Sequence, residues 1–242
     1  MRKLIDVQLT FIISPDLDIA GFQELSSEIN ESHPLYTQLT EALARVNISI
    51  PDVGLHGVQK EELQKQVGGF YVAHAQGIEK HCRQINGYWD QHGNDFLRTC
   101  DELFSRNAFM EVTEFIAYPT LWRVYIQQMK HSAISFPLSE DVHGSDEALY
   151  VVMHELLHAF FYQYVNTMPN LRNRVDLWDI AEIFNSIVMS QDRFKKFYPS
   201  HAITNYPLHD KIIREIVASG VNNSAELTIM QISNRLKPQS QT

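Results

Sequence analysis

Residues 149–164 are almost continuously apolar, yet His154, Glu155 and His158 stand among them. Such a stretch reads as one buried helix. Ser145 suits its N-cap, and Asp146 and Glu147 favour the positive end of its dipole. Burying two imidazoles and a carboxylate is costly unless they have partners, and a metal ion supplies them. The core must therefore be built around this helix, with its polar groups satisfied in place.

Residues 154–158 read His-Glu-Leu-Leu-His. On a helix, positions four apart lie on one face, one turn above another, so both imidazoles can grip the same zinc. Glu155, offset by one residue, is placed to accept a proton from a zinc-bound water without being a ligand. The plainer reading makes His154 and His158 hydrogen-bonded core histidines and Glu155 the partner of a neighbouring group. An open catalytic zinc takes three protein ligands, so a third donor is needed. In the segment 176–186, Asp179, Glu182 and Ser186 form a polar stripe on an otherwise apolar helix. Asp176 followed by Asp179 also resembles a capping box, an explanation that Glu182 lacks. Glu182 is the expected third ligand and Asp179 the runner-up, ahead of the other His and Asp residues of the chain. Asp179 or Ser186 would otherwise fix an imidazole or the ligand carboxylate.

The rest of the chain mixes periodicities. Residues 4–13 suit a strand, ended by the break Ser14-Pro15-Asp16. Helices are expected over 34–46, with Pro34 at its start and Leu35, Leu39 and Leu43 on one stripe, and over 58–85 and 94–104. Short strands are expected at 109–118 and 133–137, then helices over 146–165, 177–189, 209–218 and 224–236. A chain of 242 residues suffices for one domain. Within it a helical front lobe would cover about 1–105, with a small sheet and the zinc helices in about 106–242. The expected class is α+β, mostly helical, with a small β-sheet next to the zinc-binding helix.

A formal charge of −9 makes nucleic acid a poor partner, since phosphate affinity comes from clustered Lys and Arg. No stretch approaches the ~20 apolar residues of a membrane-spanning helix. The start Met1-Arg2-Lys3 and its apolar run, interrupted by Asp6 and Gln8, fit a first strand better than a secretory signal. Cys82 and Cys100 form no CxxC pair and read as ordinary thiols of a reducing compartment, so a cytoplasmic location is expected. Tyr71, His74, His81 and His92 are expected as surface or packed polar residues, and the charges at 60–65 as a solvated helix face.

The run His154-Glu155-Leu156-Leu157-His158, with Glu182 on a later helix, resembles the zincin metallopeptidases in their gluzincin, or thermolysin-like, branch. The resemblance covers about 30 residues. It implies zinc held by His154, His158 and Glu182, with Glu155 as general base. It also implies a peptide or protein substrate strand along the edge of the sheet, at 109–118 or 133–137. Enzymes of that branch place Asn just before the glutamate ligand and Asp four residues after it, where this chain has Ala181 and Ser186. The Gly and third His that extend the metzincin motif are missing from 159–166. A donor for the oxyanion is expected from the C-terminal part, where Tyr206 and His209 are the candidates; the plainer reading has Tyr206 packed and His209 solvated. The expected function is zinc-dependent peptide-bond hydrolysis. Its rivals are a non-catalytic zinc-containing regulatory or protein-binding module, and a metal-free helical interaction protein.

Overall fold

The computed structural model describes residues 7–33, 35–105, 114–125, 127–128, 132–138, 145–198, 206–220 and 223–236. The first strand, β1, covers Gln8–Phe11, the expected residues 4–6 lying outside the described ones. The Ser14-Pro15-Asp16 break ends this strand and also starts a helix, α1 (Pro15–Glu28). Ser14 is extended, its hydroxyl oxygen accepts from Leu17 N at 3.2 Å, and Pro15 occupies a position where no N–H is needed. In α2 (Tyr36–Arg45) Leu39 and Leu43 are buried, as their spacing predicts, and Pro34 lies outside the described residues. A short 3-10 turn, Leu55–Gly57, precedes α3 (Lys60–Ala73) and α4 (Ala75–Leu103). The helix break expected between 85 and 94 falls instead at His74, whose ring stacks on Phe70 at 4.0 Å, and α4 runs unbroken for 29 residues.

Strands β2 (Glu114–Thr120), β3 (Gln127–Gln128) and β4 (Ala133–Pro137) complete a four-stranded sheet in the order β1-β2-β4-β3. Strands β1, β2 and β4 are parallel, with Leu9 opposite Phe115 and Ala117 opposite Ile134, and β3 is antiparallel to β4. Residues 109–113 of the expected strand lie outside the described ones. Among the described residues, both expected strands are paired on two sides over only part of their length. β2 lies between β1 and β4, parallel to both, and β3 pairs antiparallel with Ala133 and Ile134 of β4. All five residues of β4 are buried.

The remaining helices are α5 (Ser145–Asn166), α6 (Leu177–Met189), the short α7 (Asp192–Lys195), α8 (Asp210–Ser219) and α9 (Ala225–Arg235). The class is α+β, mostly helical with a small sheet. By contacts the chain forms two compact units, and α4 and α5 each run through the division. The unit of residues 8–90 and 114–155 holds the sheet, with Phe22, Leu39, Leu63, Tyr118, Trp122 and Phe136 in its core. In the other, Phe184 packs against Phe161 at 5.2 Å and Phe104 at 5.7 Å between ring centres. Cys82 and Cys100 are free and buried, and burial pushes the Cys82 thiol up to about 12. Among the described residues no helix is long and apolar enough to cross a membrane.

Candidate metal centre

The apolar run does form one helix, and α5 is buried along most of its length. The division between units falls between Glu155 and Leu156, but the helix is continuous there. The relation of His154 to His158 is therefore set by helix geometry alone, one turn apart on one face. Residues 180–189 of α6 are buried apart from Glu182, which is partly exposed.

Glu182 Oε1 lies 3.2 Å from His158 Nε2, and the two side chains are only 12% and 8% exposed. Ligand atoms of His154, His158 and Glu182 all lie within 4.8 Å of one another. Ligands at the usual distances from a tetrahedral zinc stand about 3.3 Å apart. The His158–Glu182 pair already has that separation, and the widest pair must close by at most about 1.5 Å, within reach of a small side-chain rotation. Two imidazole nitrogens and one carboxylate oxygen form a donor set that suits zinc. The residues present fit the ion.

Two tyrosines outside the motif flank the histidines. Tyr150 Oη makes a long contact of 3.5 Å with His154 Nδ1, and the Tyr162 ring stacks on His158 with centroids 6.2 Å apart. Positions 150, 154, 158 and 162 are thus one stripe at four-residue spacing, a signal submerged in the apolar run. When Nδ1–H of His154 donates to Tyr150, the Nε2 lone pair is left for a metal. Glu155 is buried and its carboxylate is outside the ligand group. Burial, with smaller contributions from nearby charges including Glu155, raises the phenol of Tyr118 on β2.

The capping-box explanation for Asp176 and Asp179 does not hold. Asp176 stands at the N-cap of α6 but makes no side-chain cap, because Arg174 draws its carboxylate away through Nε at 2.7 Å and Nη2 at 2.6 Å. That pairing lowers the Asp176 carboxyl below its usual range. Asp179 Oδ1 instead accepts from His209 Nε2 at 2.8 Å and stays out of the metal group. Ser186 is buried on α6. His209, at the N-cap of α8, is 4% exposed and so is not solvated; Trp178 and Tyr206 pack on it at 5.8 and 5.6 Å. Among the described residues, its Nδ1 is buried with no hydrogen-bond partner. A carboxylate can only accept, so Nε2 carries the hydrogen of that contact and only Nδ1 is left for another group. His209 can therefore donate to an oxyanion only as the imidazolium.

His154, His158 and Glu182 are thus a group that could hold a metal ion. Compared with protein-family models, with curated proteins and with solved structures, the chain matches none.

Proposed function

We propose that the chain is a zinc-dependent peptidase of zincin type, hydrolysing a peptide bond in a peptide or protein substrate. The observation that carries this reading is the meeting of His154, His158 and Glu182, from two helices, with ligand atoms within 4.8 Å. Zinc bound there would bring the pKa of a water towards neutrality and polarise the substrate carbonyl. Glu155, beside His154 on the helix and outside the ligand group, takes the proton and returns it to the departing amine. Tyr206 and the imidazolium form of His209 are the proposed donors to the oxyanion, with Asp179 holding His209 by Nε2. Burial strengthens each of these interactions by lowering the local dielectric.

The test is zinc content and peptide cleavage measured together. Purified protein should carry about one zinc per chain, and His158→Ala should lose it. A peptide library should be cut by the wild type. Protein that holds no transition metal after zinc back-titration would overturn the proposal.

A further inference from the structure

Asp18, in the first turn of α1, is completely buried in the unit that holds the sheet. Thr120 Oγ1 lies 2.5 Å from its Oδ1, while Leu121 N at 3.2 Å and Tyr71 Oη at 3.1 Å approach its Oδ2. Its backbone carbonyl accepts from Trp122 Nε1 at 2.7 Å. Helix α1, helix α3 and the end of β2 thus meet on one residue.

The hydrogens of this cluster can be counted. Tyr71 has one hydroxyl hydrogen, and the Pro119 carbonyl oxygen lies 2.6 Å from its Oη. A carbonyl can only accept, and Pro119 is the nearer of the two neighbours, so the hydrogen belongs to that contact. Thr120 gives its own hydrogen to Oδ1 while its oxygen accepts from Trp122 N at 3.3 Å, and the Leu121 amide gives its hydrogen to Oδ2. The contact between Tyr71 and Oδ2 still needs a hydrogen, and the remaining source is the carboxyl group.

We infer that Asp18 is a buried carboxylic acid that donates its proton to Tyr71 and so acts as a pH-operated latch joining α1 and α3 to the end of β2. When the proton leaves for solvent, the Tyr71 hydrogen turns to the carboxylate and Pro119 O loses that donor. The junction then loosens on its β2 side.

Burial pushes the Asp18 carboxyl up to about 7, against the opposing pull of the bonds from Thr120, Leu121 and Tyr71. The titratable groups facing it are Tyr71 from α3 and Tyr118 from β2, both kept neutral because burial drives their phenols upward. Cys82 from α4, next to Tyr71, is neutral for the same reason. Glu24, further along α1, acts on Tyr118, and the 3-10 turn packed on α1 carries His56, which is exposed. None of the causes of the Asp18 shift is a cation that would hold the ionised form.

Carbon-13 NMR of the aspartate carboxyls in the full chain tests the latch. One aspartate signal should titrate near neutrality, and that signal should be missing in Asp18→Asn. The Trp122 indole N–H resonance should shift with the same midpoint. If Asp18→Asn does not fold, Thr120→Val assigns the signal, because removing that donor to Oδ1 moves the late midpoint higher. The inference is overturned if no aspartate titrates near neutrality, or if the late signal survives Asp18→Asn or is unmoved by Thr120→Val. A late Asp18 titration that leaves Trp122 unchanged overturns the latch as well.

Discussion

Glu182 and Asp179 stand one turn apart on α6, and the partner each one meets separates their roles. Glu182 meets His158 at 3.2 Å, whereas Asp179 meets His209 at 2.8 Å. Glu182→Ala removes a proposed ligand and should weaken zinc binding more than a supporting residue's loss, which costs roughly 10–100-fold. Asp179→Ala leaves the ligand set intact and frees His209, so zinc should stay while hydrolysis slows. Competition with a chromophoric chelator orders the two variants, and the reverse order would move the third ligand to Asp179. Glu155→Gln keeps the side chain's size but cannot take a proton at neutral pH. Its hydrolytic rate should fall on the order of 10²–10⁴-fold with zinc content unchanged. Zinc loss in that variant would instead place Glu155 among the ligands.

At the level of elements, the proposed site depends on two helices that bury most of their described residues. Phe184, fully buried on α6 between Phe161 and Phe104, backs the turn that carries Glu182. Phe184→Ala should cost about 3–5 kcal/mol in urea unfolding and weaken zinc binding with it, because the cavity lets α6 shift against α5. Zinc binding unchanged in a destabilised Phe184→Ala would detach the site from this packing. The bounds of α6 were legible in the sequence, since a polar stripe on an apolar segment has helical period. The junction of α3 and α4 was not. Gly68, Gly69, Gly77 and Gly87 ordinarily suggest helix ends, yet all four lie within helices, and the break falls at His74. Helix α1 was hidden for a similar reason, because Ser-Pro-Asp marks both a strand's end and a helix's start.

For the whole molecule, Asp18 links folding to pH with a definite sign. Its folded value, about 7, lies above the ordinary 3.8, so the fold keeps a proton that the unfolded chain releases. The stability it contributes is full below about pH 4 and is lost as pH rises through 7, at up to about 1.4 kcal/mol per pH unit. Urea unfolding of wild type minus Asp18→Asn should show that fall, and a difference independent of pH would contradict it. Residue number alone determined the relation of His154, Glu155 and His158, because a helix repeats every 3.6 residues and the repeat is local. The apolar run around them likewise determined that this helix is buried. Tertiary structure alone decided that Glu182 meets His158 while Asp179 turns to His209, and that Asp18 is enclosed by Tyr71, Thr120 and Trp122. These partners stand from 24 to 104 residues apart in the chain, and the packing of separate elements brings them together. Periodicity along one helix carries no information about which face of another will meet it.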